Sequence, residues 1–242
     1  EPNAQSKIQI NTRNMRATDL IKETNCPRTR AKECSCSKVK SITEALDTVI
    51  AQCDLQHSDK VKGTLLLIQA PGTPTLIRGT ISGLEPGEHG FHIHEFGDLS
   101  DGCASAGGHY NPEGVTHGSL KHPSHPRHVG DLCNNIVADS KGVVAETYYF
   151  PDVIVNDILG RSVVIHKLTD DLGLQGIYEG KKFKSYSEMS LSELKAYANK
   201  RNYFKRGDKI SRETIVNKLN TESLKTGNAG GRMGCAVIGI SK

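Results

Sequence analysis

Gly90-Phe91-His92-Ile93-His94 alternates apolar and imidazole side chains. Period two is the signature of a β-strand, so His92 and His94 share one face and Ile93 takes the other. A strand with one apolar face needs partners, and the chain offers them on both sides. Val49, Ala51, Cys53 and Leu55 alternate with Ile50, Gln52 and Asp54, and Lys62–Gln69 and Thr75–Ile81 follow. Ala70-Pro71-Gly72-Thr73-Pro74 and Glu85-Pro86-Gly87 separate these runs as turns. Further strands are predicted at Asn135–Ala138, Val143–Tyr148, Arg161–His166 and Cys235–Ile240. Short strands with turn clusters at this spacing predict an all-β sandwich or barrel. Ser41-x-x-Glu44 could instead be a capping box, which would give the first strand a helical entry.

Three stretches depart from the strand pattern. Residues 97–131 are rich in Gly, His, Pro and Asp and read as long loop, not core. Residues 1–45 are polar, rich in Arg and Lys, and carry Cys26, Cys34 and Cys36; they read as an extension ahead of a main domain over 46–242. Within residues 174–224, Ser190-Leu191-Ser192-Glu193 is a capping box opening a helix to about Lys200. Ser211 caps a second helix, with Ile215, Val216 and Leu219 as its apolar stripe. Residues 175–225 hold twelve Lys and Arg against six Asp and Glu, a net +6, whereas the whole chain of 242 residues is +4. The positive charge is therefore concentrated in this partly helical insertion.

Composition narrows the class. Hydrophobic residues make up 36% and Trp is absent, so the core must be aliphatic with a few Tyr and Phe. No apolar run approaches the roughly 18 residues of a membrane span. A net charge of +4 does not by itself imply nucleic-acid binding. Seven Cys is an odd number, compatible with one distant disulfide in an oxidising compartment and at least one thiol that is free or pairs with another chain. The opening at Glu1 without Met, together with the Cys-rich extension, leans towards a secreted, extracellular protein, with the cytoplasm as the alternative.

Ten His are present, most of them between His89 and His128. His109, His117 and His128 with Asp131 offer three imidazoles and a carboxylate, a tetrahedral set that suits zinc. His92, His94 and His166 with one more imidazole make a nitrogen-only set that suits copper. A His-rich loop taken alone also fits a nonspecific metal-binding tract.

Gly90-Phe91-His92-Ile93-His94-Glu95-Phe96-Gly97-Asp98 closely resembles the copper-site signature of copper/zinc superoxide dismutases. Gly227-Asn228-Ala229-Gly230-Gly231-Arg232-Met233-Gly234-Cys235-Ala236-Val237-Ile238-Gly239-Ile240 resembles their C-terminal signature, and Cys103–Pro112 and Arg127–Asp131 match between them. The resemblance covers about residues 49–173 and 225–242. It implies an immunoglobulin-like Greek-key sandwich that disproportionates superoxide. It implies His92, His94, His109 and His166 as copper ligands, and His109, His117, His128 and Asp131 as zinc ligands, with His109 shared. Asp170 matches the carboxylate linking ligands of the two metals, and Cys103 and Cys235 match the intrasubunit disulfide. Arg232 matches the arginine beside the copper, expected to attract and orient the anion, and His109 is expected to carry a proton. His89 matches a structural position, while His122 and His125 read as solvated. A homodimer and loading by a copper chaperone are further expectations.

The insertion at 174–224 departs from the family pattern. Its charge could steer superoxide, narrow the channel or bind polyanions, or it could be a solvated insertion with no part in turnover. Residues 151–160 are shorter than the usual connection near the dimer interface. Cys34-Ser35-Cys36 could bind metal or form a bridge, Cys53 reads as a buried thiol, and Cys133 could pair with the extension. Two rivals share the sandwich. A metallochaperone would carry a Met-x-Cys-x-x-Cys module, which is absent; a silent polyanion-binding protein would use the insertion alone.

Overall fold

A computed structural model describes residues 48–55, 60–205 and 207–241. The expectations for Ser41, Glu44, Cys26, Cys34 and Cys36 lie outside the described residues. Strands β1 (Val49–Leu55), β2 (Lys62–Gln69) and β3 (Thr75–Ser82) are followed by β4 (Gly87–His94) and a short β5 (Ser100–Cys103). Then come β6 (Asp131–Ala138), β7 (Val144–Phe150), a one-turn helix α1 (Val155–Ile158) and β8 (Ser162–His166). The insertion contributes β9 (Gly176–Glu179), β10 (Lys182–Ser185), α2 (Leu191–Lys200) and α3 (Arg212–Thr226), and β11 (Arg232–Val237) and β12 (Gly239–Ile240) close the chain.

Two antiparallel sheets result, ordered β12-β1-β2-β3-β7 and β11-β8-β4-β6. The chain leaves β3 for β4 in the other sheet, runs back along β6, and returns as β7 beside β3. This out-and-back path is the Greek key. The inner faces meet in one core: Ala51, Cys53, Leu65, Leu67 and Ile77 from the first sheet pack with Phe91, Ile93, Ile136, Val163 and Ile165 from the second. Alternation explains the first sheet, where every other β1 residue from Ala51 is buried. The second sheet is different, since all five residues of β8 and the last six of β4 are buried. Its outer face is covered as well, and that face carries His92 and His94.

Three sequence expectations need correction. Cys235–Ile240 is not one strand. Ile238 exchanges backbone hydrogen bonds with Gly160 and Arg161, and the chain then crosses to the other sheet, where Gly239 and Ile240 pair with Gln52 and Ala51. The stretch 97–131 is not all loop, since it contains β5 and a 3₁₀ turn at Ala104–Ala106. The insertion is not merely solvated: Tyr186, Met189, Leu194, Ala198, Ile215, Val216 and Leu219 form a second apolar cluster. Both of its helices begin as expected, Ser190 capping Glu193 N–H and Ser211 capping Thr214 N–H. None of the described helices is long and apolar enough to cross a membrane.

Candidate metal centre

Strand pairing sets the first part of the site. β4 and β8 align His92 with Val164 and His94 with Ser162, so Phe91 and Ile93 meet Ile165 and Val163 on the core side. The two imidazoles therefore project outward, as period two requires. β11 places Arg232 opposite His166. An irregularity in the β4–β6 ladder brings Asp131 opposite His92, and an isolated bridge joins His94 to His109.

Two sets of side chains converge. Ligand atoms of His92, His94, His109 and His166 lie within 4.8 Å of one another, and all four residues are buried. Those of His92, His109, His117 and Asp131 do the same. His128 was expected in this second set in place of His92. It is close by, with Nδ1 3.1 Å from Asp131 Oδ1, the same oxygen that lies 2.8 Å from His109 Nδ1 and 3.0 Å from His117 Nδ1. His92 stands in both sets, so the second of them differs from the expected one in holding His92 where His128 was expected.

Each ring has one nitrogen fixed by the protein. His92 Nε2–H donates to Asp170 Oδ2 at 2.7 Å, and His117 Nε2–H to Asp170 Oδ1 at 3.0 Å. His94, His166 and His128 donate to the carbonyls of Gly107, Gly230 and Val115 at 3.0–3.1 Å. The opposite nitrogens are left facing one another: His94 Nε2 and His166 Nε2 are 3.2 Å apart. His92 Nδ1, His109 Nε2 and His117 Nδ1 are buried without a hydrogen-bond partner among the described residues, with Asp131 Oδ1 3.0 Å from His117 Nδ1 as an ionic contact. Buried lone pairs with no donor are costly, and a shared cation is what removes the cost. Four nitrogens fit copper, and three nitrogens with a carboxylate oxygen fit zinc.

The electrostatics agree. Burial, helped by the neighbouring imidazoles, holds His94 and His109 well below the usual histidine value, and His166 falls to about 3 through burial and His92. These rings stay neutral, with lone pairs free for a metal. His117 moves the other way: burial opposes its charge, but Asp170 and Asp131 outweigh it. Both carboxylates lie below their usual range because their imidazole partners outweigh burial.

Arg232 borders the first set. Its guanidinium donates to the carbonyls of Cys103 at 2.5 Å and Ala104 at 3.1 Å, and to Gly107, which also receives His94. Its hydrogen-bond partners among the described residues are carbonyls, which orient the guanidinium without neutralising it. A disulfide joins Cys103 to Cys235. His89 is buried between the carbonyls of His166 and Glu85 and so supports β8 without joining a ligand set. His122 is half-buried and His125 exposed. Cys53 and Cys133 are free thiols. The sequence reading missed Asn134, which donates to Gly118 O and Asp170; its only local sign is the polar pair Asn134-Asn135 interrupting a strand.

The family model for copper/zinc superoxide dismutase matches residues 61–188. The chain is 39% identical over 186 residues to a superoxide dismutase (Cu-Zn) of Paramecium bursaria Chlorella virus 1, covering 75% of this chain and 74% of that protein. It is 38% identical over 185 residues to an extracellular superoxide dismutase (Cu-Zn) of Drosophila melanogaster, covering 75% and 77%. A third relative, an extracellular superoxide dismutase (Cu-Zn) of Onchocerca volvulus, is 40% identical over 174 residues, covering 70% and 65%. With this match lying across the strands and loops that bring the imidazoles together, the chain belongs to the copper/zinc superoxide dismutase family.

Proposed function

We propose that this chain converts superoxide to dioxygen and hydrogen peroxide, with copper held by His92, His94, His109 and His166 and zinc by His109, His117, His128 and Asp131. The observation that carries the assignment is the trio of partnerless buried nitrogens, His92 Nδ1, His109 Nε2 and His117 Nδ1. When bound, copper supplies the one-electron couple for both halves of the reaction, and zinc supplies a fixed positive charge.

The chain's own residues do the rest. Forming peroxide consumes two protons; on this reading His109 Nε2 would take one up from water and pass it on, while Asp131 holds its Nδ1 side at 2.8 Å. Arg232 attracts the anion with a guanidinium whose orientation three carbonyls fix. Asp170 grips the outer nitrogens of His92 and His117, so that neither ring can turn. On this reading residues 46–242 are the catalytic domain, and 174–224 its insertion.

His166→Ala tests the assignment. Elemental analysis of the loaded variant should find copper lost and zinc retained, with dismutation abolished. Retained dismutation, or equal loss of both metals, overturns it.

A further inference from the structure

The insertion reaches the metal centre at two points: Leu224 O accepts from His117 N–H at 2.8 Å, and the buried carboxylate of Asp171 receives insertion side chains. Its Oδ2 accepts from Tyr186 Oη–H at 2.5 Å and Asn228 Nδ2 at 2.7 Å. Its Oδ1 accepts from Ser223 Oγ–H at 2.9 Å and Gly173 N–H at 3.1 Å. Tyr186 and Ser223 belong to the insertion. Tyr186 is fully buried in the second apolar cluster, and Ser223 lies on the buried side of α3.

Asp171 is the chain neighbour of Asp170, whose two oxygens hold His92 and His117. On one side β6 fixes Asp170: its N–H donates to Asn135 Oδ1 at 2.7 Å, and its carbonyl accepts from Asn135 Nδ2 at 2.9 Å. On the other side stands the end of α3. Asp171 N–H donates to Gly227 O at 2.7 Å. Gly227 has φ +62, and a side chain there would collide with the Asp170 carboxylate. Asp170 is thus held between the sandwich and the insertion, and the insertion's grip runs through Asp171.

We propose that Tyr186 is a positioning residue for Asp170, acting through Asp171. The proposal rests on the ligand sets assigned above. The tyrosine hydroxyl does not approach the metal-facing nitrogens. It satisfies a buried carboxylate that would otherwise be short of a donor and would shift to find one. A shift of Asp171 moves the adjoining backbone and turns the Asp170 oxygens away from both imidazoles. Tyr186→Phe keeps the ring in its apolar cluster and deletes the hydroxyl, which donates to Asp171 and also meets Asn228 Nδ2 at 3.1 Å and Tyr197 Oη at 3.2 Å.

The test measures zinc release to a colorimetric chelator from the metal-loaded full chain, together with the copper visible spectrum. Replacing a group that orients a metal ligand costs about 10–100-fold in affinity, so Asp170→Asn should speed release at least about ten-fold and Tyr186→Phe, one step further out, about three- to ten-fold. Leu194→Ala loosens the same apolar cluster without touching Asp171, and should leave release and the copper spectrum unchanged. Ser223→Ala removes another Asp171 donor and should repeat the Tyr186→Phe effect, which covers a failure of Tyr186→Phe to fold. Unchanged release in the Asp171-donor variants, or an equal acceleration by Leu194→Ala, overturns the proposal. Unchanged release in Asp170→Asn overturns the ligand assignment beneath it instead.

Discussion

Reducing the Cys103–Cys235 disulfide should destabilise the metal-free chain by about 5 kcal/mol. The two residues are 132 apart in sequence, and the chain-entropy model gives about 5 kcal/mol for a loop of that length. Loop length enters weakly, since doubling it adds only about 0.6 kcal/mol. Packing changes little on reduction, because Cys235 keeps its place beside Ala106 and Val164 in a small buried cluster. The effect is therefore that of the cross-link on the unfolded state. The assay is urea unfolding of the chain with and without reductant, Cys26, Cys34 and Cys36 being replaced by Ser in both arms. Metal must be absent, because a ligand bound only to the native state adds its own stabilisation. With a slope of about 3 kcal/mol per molar urea, the midpoint should fall by about 1.7 M. A fall of less than about 0.3 M would refute the reasoning, since the unfolded chain would then be confined without the bond.

Arg232→Ala should lower kcat/KM by about ten-fold or more at low salt and leave copper and zinc content unchanged, because the guanidinium attracts the anion but holds no metal. An unchanged rate removes Arg232 from the mechanism. Burial pushes the thiols of Cys53 and Cys133 up to about 12, so a disulfide reagent at pH 8 should label neither in the native chain within the time that modifies free cysteine. The sign follows from the raised value: the fold keeps these thiols protonated, and the stability this contributes is lost as pH rises from about 9 towards 12. Rapid labelling of both in native protein contradicts the burial argument.

The strands were legible because burying one face leaves a period of two in the sequence, and Ala51, Cys53 and Leu55 show it. The helix starts were legible because Ser190 and Ser211 satisfy amides that must find a partner locally. What escaped was non-local or masked by charge. The β9–β10 hairpin carries Lys182 and Lys184 on one strand, which hides its pairing. A signal was present: Glu179 pairs with Lys182 across the two-residue loop Gly180-Lys181, and Gly180 has φ +63, the position where such loops favour glycine. The clamp of Tyr186, Ser223 and Asn228 on Asp171 spans separations of 15 to 57 residues, and no local periodicity reports it. Ligand chemistry could set His109, His117, His128 and Asp131 apart from His92, His94 and His166 in the sequence, but not their facing nitrogens, because which nitrogen faces inward depends on distant carbonyls such as Gly107 and Gly230.

Register ties the core to the chemistry. Phe91 and Ile93 occupy the core face of β4, and Val163 and Ile165 that of β8. Sliding either strand by one residue would drive His92 and His94, or His166, into an aliphatic core and expose the apolar set. The packing that stabilises the sandwich therefore also fixes which imidazoles point outward, before any metal arrives. Asp131 is the exception that shows the rule. An ideal β4–β6 ladder would place Cys133 opposite His92, and the irregularity after Phe91↔Asn134 brings Asp131 there instead. Asn134, with φ +63, turns the chain at this point and donates to Asp170. The one departure from regular pairing in this ladder is thus the step that moves a carboxylate of the second ligand set beside the strand carrying the first.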